Sequence, residues 1–255
     1  MMEVHVLASG SDGNCTVIES DGEAIMIDAG ISCRRIFELM EVEGVDKDMV
    51  KAILITHEHS DHVSGAGATA RKLGVPIVAN MRTFDASNLG NVQHWVYKSN
   101  SCIDIGQFHV TPLPTSHNAV EPNCYLTEVD DRKVLVATDT GKLTFQIEHA
   151  LAMADVALIE ANYDRDMLVN GPYPPSLKSL IGSERGHMCN VDTAKAIKRT
   201  QDQNPHRQIF LAHLSRTNNT ADIARQSVSD ITGIRRGKID CLEFRGDTRS
   251  LRVRD

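Results

Sequence analysis

The chain has 255 residues, of which 41% are hydrophobic and 24% charged, and its formal net charge is −7. That mixture belongs to an ordinary folded globule and excludes a disordered, collagen-like or fibrous chain. Its apolar runs, such as 134–137 and 209–212, are far too short for a bilayer span, and the start MMEVHVLASG has neither the basic head nor the apolar stretch of a leader, so a cytoplasmic location is expected.

Apolar and β-branched runs predict strands at 4–7, 16–19, 24–27 and 52–55, with Asp21-Gly22 as a hairpin turn between the second and third. Helical spacing of Ile36, Leu39 and Met40 marks 31–40, and a second helix is expected over 66–73, ended by Gly74 and Pro76. Strands return at 76–79, 109–113, 123–128 and 134–137, the last two joined through Asp130-Asp131. Then follow a helix at 145–152, a strand at 156–160, helices at 193–200 and 221–229 around a strand at 209–212, and terminal strands at 241–244 and 251–253. The proline-rich segment 170–183 reads as a loop or irregular lid. No repeat, low-complexity tract or boundary is visible, so 1–255 is expected to form one α/β domain, its sheets covered by helices on their outer faces. The six cysteines stand singly, without CxxC pairs, and read as buried thiols in a reducing compartment.

The strongest chemical signal is His57-Glu58-His59-Ser60-Asp61-His62, directly after a predicted strand. His57 and His59 could not share a helical face, but a loop at a strand end can converge them. Asp61 and His62 would open the helix that includes 66–73. Imidazoles with carboxylate and no cysteine suit zinc, manganese or iron rather than a structural zinc knot; the bland alternative is a surface histidine cluster. One loop cannot close a two-metal site. Further donors are expected at other strand ends: Asp28 in MIDAG, His117 in TPLPTSH, Asp139 in ATDTG and His213 in FLAHLS.

In this order the residues resemble the metallo-β-lactamase superfamily and match all five of its motifs. The resemblance implies a four-layer αβ/βα sandwich, two mixed sheets flanked by helices, with two divalent metal ions (zinc or manganese, with iron an option) at one edge. It implies that His57, His59 and His117 hold one metal and Asp61, His62 and His213 the other, that Asp139 bridges them, and that Asp28 orients the ligand loop. Two such ions can generate a bridging hydroxide and clamp the charge of a displacement. ASGSDGN at 8–14, ATDTG at 137–141, EANYD at 160–164, SERGHMCN at 183–190 and HLSRTNN at 213–219 further resemble the YycJ/WalJ-like subgroup of DNA exonucleases, which usually has Ser where this chain has Cys189. The resulting expectation is a metal-dependent phosphodiester hydrolase, a DNA or RNA nuclease with exonuclease favoured, needing no organic cofactor and no membrane. The alternative is a small-molecule hydrolase acting on a cyclic nucleotide, cyclic phosphate or thioester at the same dinuclear site.

Asp61 and His187 are the candidate catalytic side chains. His187 would protonate the leaving oxygen or bind the scissile phosphate, before a helix capped by Asn190 or Asp192. Glu160 would support the ligands or order the loop near His187. Ser9, Ser11 and Asn14 lie in a glycine-rich turn that reads either as a phosphate cradle or as a tight hairpin with polar caps. Ser215 and Asn218 would contact phosphate or, with Asn219 and Thr220, cap the following helix. Tyr163 and Trp95 are candidates for base stacking, and Arg235, Arg236, Lys238, Arg245 and Arg249 for phosphate contact. In a chain with residues 1–64 carrying 4 Lys/Arg against 13 Asp/Glu and 195–255 carrying 13 against 7, the charge asymmetry reads either as a polarised surface or as the approach side for an anion. His5, His94, His109, His149 and His206 fall in no converging pattern.

Overall fold

The computed structural model describes residues 2–98, 101–242 and 248–253. Two seven-stranded mixed sheets face one another. The first contains β1 (Met2–Ala8), β2 (Cys15–Ser20), β3 (Glu23–Ile27), β4 (Val50–Leu54), β5 (Ile77–Asn80), β6 (His94–Tyr97) and β14 (Arg249–Arg252), in the order β14-β1-β2-β3-β4-β5-β6. The second contains β7 (Ile103–Ile105), β8 (Phe108–Pro114), β9 (Asn123–Val129), β10 (Arg132–Ala137), β11 (Val156–Glu160), β12 (Gln208–Ala212) and β13 (Ile239–Cys241), in the order β13-β12-β11-β10-β9-β8-β7.

Period-two alternation sorts each strand's side chains into layers. Ile25 and Ile27 of β3 and Val156 and Leu158 of β11 point into the interior between the sheets, where Phe108 and Tyr125 are fully buried. Met26 and Ile53 face outward onto α1 (Cys33–Glu43) and α3 (Ala66–Leu73). Ala157 and Ile159 face outward onto α5 (Phe145–Met153), α8 (Asn190–Thr200) and α9 (Ala221–Thr232). The result is an αβ/βα sandwich, as expected, and each buried aliphatic side chain contributes about 1.5–3 kcal/mol to holding it. Tyr125 Oη donates to the Ile55 carbonyl and lies 2.6 Å from it, while the Tyr97 hydroxyl is 2.7 Å away, so one buried pair of phenols ties the sheets together.

Several elements differ from the sequence expectation. Asp61 and His62 lie in a separate turn, α2 (Ser60–Val63), rather than in the helix that follows. The segment expected as a loop holds α7 (Pro175–Ile181), after α6 (Arg165–Asn170); Pro175 fits because the first helical turn needs no N–H there. Cys189, not Asn190 or Asp192, occupies the cap position of α8, without a side-chain cap bond. Thr220 caps α9, whereas Asn219 pairs its amide with that of Asn190. The short elements α4 (Met81–Ala86), β6 and β7 had no clear signal. Cys33 is half-buried and Cys102 exposed, against the expectation of uniformly buried thiols. The terminal strand expected at 241–244 is seen only as β13, because its last two residues lie outside the described ones, as does Arg245.

Candidate active site

Donor groups gather where the C-terminal ends of β3, β4, β10, β11 and β12 meet the loop after β8. Asp28, Asp139 and His213 each sit immediately or one residue beyond a strand with a left-handed backbone, φ 57°, 57° and 56°. Such a conformation costs a non-glycine residue roughly 1–2 kcal/mol, and strain of this kind collects at functional sites. It turns the side chain sharply off the strand end toward the space between the sheets.

The hexapeptide 57–62 is held by its neighbours' backbone. Asn14 N–H donates to the Asp61 carbonyl at 2.8 Å and Ala29 N–H to that of His62 at 2.9 Å. Gly30 is required beneath it, because a Cβ there would lie 1.5 Å from the Asp61 oxygen. Donor sets result: His57, His59 and His117 form one, and Asp61, His62, Asp139 and His213 another, while Asp139 and His213 also gather with Glu160 and His187, the ligand atoms of each set lying within 4.8 Å of one another. Asp139 reaches toward both of the first two. Its Oδ1 is 3.6 Å from His117 Nε2, and its Oδ2 is 3.1 Å from His62 Nε2.

The second nitrogen of four imidazoles is already committed. His62 Nδ1 donates to Asp28 Oδ2 at 2.7 Å, His117 Nδ1 to the Gly186 carbonyl at 2.9 Å, and His213 Nδ1 to Glu160 Oε1 at 2.9 Å. Thr56 Oγ1 donates to Asp28, so it accepts from His57 Nδ1, 3.0 Å away. The Nε2 atoms are thereby aimed inward, and those of His57 and His213 are buried without a hydrogen-bond partner. Buried, oriented nitrogen lone pairs around carboxylates are what a divalent cation with N/O preference requires. The residues fit two such ions.

Charge points the same way. Among the described residues no Lys or Arg lines this cleft, yet Asp61 and Asp139 converge in it. Burial opposes their ionisation, but His213 and His62 outweigh it and hold both carboxyls well below the usual range. Burial also opposes a charged His213, but Asp139, Asp61 and Glu160 push it up to about 10; His62 is raised likewise by Asp28 and Asp139. Burial lowers His57 and His117, favouring their neutral, coordinating form. The cradle is anionic and demands compensating positive charge.

Glu160 is wholly buried and fully used. Its Oε1 accepts from His187 Nδ1 at 2.7 Å and from His213, and its Oε2 accepts the Thr140 N–H at 2.9 Å. Burial resists its charge, but His187 and His213 lower its pKa to about 2. It therefore fixes both a cluster histidine and His187, which lines the cleft with one nitrogen free of Glu160. Sequence reading missed Thr56, which links Asp28 to His57, and Asn162, whose Nδ2 donates to the His213 carbonyl at 2.8 Å.

The expected substrate contacts fare differently. Only Ser11 lines the cleft. Ser9 Oγ accepts the His213 N–H, Asn14 is tied to Gly10 and lies 3.1 Å from His62 Nε2, and Ser215 Oγ accepts the Asn218 N–H. Asn218 is fully buried, and Tyr163 is 7% exposed, too enclosed to stack on a base. Ser9, Asn14 and Ser215 serve the backbone of the tight turns instead, whereas the buried side-chain amide of Asn218 has no hydrogen-bond partner among the described residues. Trp95 lies on the edge strand β6, outside the cleft lining. Arg235, Arg236 and Lys238 precede β13, whose Ile239 pairs with Ile209 near the start of β12; none of them lines the cleft, and Arg236 is bound to Asp222. Arg249 pairs with Val6 near the site end of β1. His5, His94, His109, His149 and His206 join no donor cluster among the described residues.

Residues 8–155 match the metallo-beta-lactamase superfamily. The chain is 37% identical to the exodeoxyribonuclease YycJ of Bacillus anthracis over 89% of its own length and 87% of the relative's. It is 36% identical to the exodeoxyribonuclease WalJ of Streptococcus pneumoniae, over 88% and 85%. Among solved structures, the metallo-beta-lactamase fold protein YhfI of Bacillus subtilis superposes with a TM-score of 0.74 at 16% identity, over 98% of this chain and 99% of that one. The chain therefore belongs to the metallo-β-lactamase superfamily and, within it, to the group of YycJ and WalJ.

Proposed function

We propose that the protein is a metal-dependent exodeoxyribonuclease, on the strength of one observation: two oriented donor sets with Asp139 3.1 Å from His62 of one and 3.6 Å from His117 of the other, in a chain matched along most of its length by proteins named exodeoxyribonucleases. His57, His59 and His117 would hold one divalent ion, and Asp61, His62 and His213 the other, with Asp139 serving both; zinc and manganese suit this oxygen–nitrogen set. Bound there, the ions supply Lewis acidity, making water nucleophilic near neutral pH and offsetting phosphoryl charge.

The chain's own groups supply the rest. Asp61, ionised and partly open to the cleft, accepts a hydrogen bond from the attacking water and orients it, and the water's proton passes to solvent. As phosphorus gains the water oxygen and loses the ester oxygen, His187 gives its proton to the departing alkoxide, held in place by Glu160. Asp28 and Thr56 keep His57 and His62 in the coordinating tautomer. Six thiols without a disulfide, one of them exposed, support a reducing cytoplasm as the site of action. No helix among the described residues is long and apolar enough to cross a membrane.

End-labelled DNA and RNA, single and double stranded, incubated with the Mn²⁺- or Zn²⁺-loaded protein, provide the test. Mononucleotides released from one DNA terminus are expected. His62→Ala should abolish cleavage together with metal, and His187→Ala should lower kcat about a hundredfold at unchanged metal content. A metal-loaded protein inert on every polynucleotide overturns the reading.

A further inference from the structure

The cleft beside the donor sets is about 230 Å³, and its walls are unlike. One is built of His59, Asp61, His117, Asp139, His187 and His213; facing them, α7 presents Leu177, Leu180 and Ile181. A surface helix ordinarily turns its leucines into the core. Here Leu177 is 38% and Leu180 41% exposed, three residues apart on the side that faces the cleft. Lys178 and Ser179 line a separate cavity behind the helix, so the leucines are not exposed for want of a polar alternative.

The helix is fixed to the site. His187 N–H donates to the Ile181 carbonyl at 2.9 Å, Ser183 N–H to that of Leu180, and the Gly186 carbonyl accepts from His117. Gly186 is obligatory at this junction, since a Cβ would lie 2.1 Å from the Leu180 oxygen. The apolar wall is therefore held in register with His117 and His187. No Phe, Tyr or Trp lines the cleft among the described residues, so no aromatic platform is present for a base.

We propose that Leu177 and Leu180 form the base-holding wall of the cleft, packing against the nucleobase and sugar next to the scissile phosphate. The assignment rests on the nuclease reading above and adds the part of the substrate the donor sets do not reach. Every nucleobase has an apolar face, so such a wall gives grip without sequence preference. It places the phosphate against the acidic and imidazole side and the nucleoside against the aliphatic side.

The test uses Mn²⁺-loaded full-length protein and DNA oligonucleotides whose terminal residue, at either end, is intact or abasic. With the wild type, loss of the terminal base should raise KM about tenfold. Leu177→Ala with Leu180→Ala should raise KM on the intact oligonucleotide by a similar factor and abolish the discrimination, with kcat and metal content unchanged. Leu177→Met with Leu180→Met should restore it. Equal wild-type KM for intact and abasic ends overturns the wall while leaving the nuclease reading standing, and so does a double Ala variant that still discriminates. Should the Ala pair fail to fold, the wild-type comparison and the Met pair decide alone. Wild-type protein that cleaves neither oligonucleotide overturns the nuclease reading and this assignment with it.

Discussion

The two sheets furnish their shares of the site in different ways. The first supplies His57, His59, Asp61 and His62 from one loop, pinned by backbone hydrogen bonds from Asn14 and Ala29. The second supplies His117, Asp139, Glu160, His187 and His213 from separate strand ends and loops, with His117 resting on the Gly186 carbonyl and the other two histidines on a single carboxylate. Glu160 alone orients two of these histidines and accepts the Thr140 N–H next to Asp139. A loop fastened through its backbone tolerates loss of a side chain better than an assembly routed through one carboxylate. The first half is locally encoded, and the second exists only when β10, β11 and β12 are already paired.

The sharpest way to break this contrast is at the residue that reaches toward both sets. Asp139→Asn should lower kcat/KM about a thousandfold, from loss of several kcal/mol of charge stabilisation, and should deplete both metals. His59→Ala, in the first set alone, should deplete one. Metal analysis beside kinetics checks this, and loss of a single metal from Asp139→Asn would refute the shared role. Next in size is Glu160→Gln, which keeps shape but puts an NH₂ donor where one carboxylate oxygen accepts, against either the two histidines or the Thr140 N–H. A fall of about 10- to 100-fold in metal affinity or activity is expected, exceeding that of Asn14→Ala on the loop side. Equal effects would erase the distinction between the halves.

The smallest effect lies away from the site, at the seam between β1 and β14. His5 is buried, its Nδ1 is 2.6 Å from Ser250 Oγ, and its Nε2 faces Glu19 and Glu3. Burial lowers its pKa below 6.5 despite Glu19, Glu3 and Glu43. The unfolded chain therefore takes up this proton first as pH falls. Stability is unaffected above pH 6.5 and declines below it, by at most about 1.4 kcal/mol per pH unit. Urea midpoints from pH 8 to 5 should fall less steeply for His5→Gln than for the wild type; identical profiles would remove the seam from the account.

Legibility in the sequence follows the same division. The run 57–62 announces itself, whereas His117, Asp139 and His213 are visible only as polar residues ending apolar runs, in an order that resembles a known family. The central strands are readable because both faces are buried, giving near-continuous apolar runs. The edge strands β6 and β7 are short and half-solvated, so their periodicity is lost. Hydroxyls and amides in the glycine-rich turn resemble phosphate contacts by composition, but tight turns leave backbone N–H groups that such side chains must satisfy. Ser9 and Asn14 do so. The prolines before α7 conceal a helix, because proline ends one helix and can also begin another.

The segment carrying α6 and α7 lies between β11 and α8 and contributes nothing to the sheets. A change of length or character between Gly171 and Ile181 therefore leaves the strand-borne donor sets where they are. What ties the segment to the cleft is the clasp from Ile181 to His187, beside the Gly186 carbonyl that holds His117. A new specificity grown there must still end on that hinge, or it displaces His187 along with the old preference.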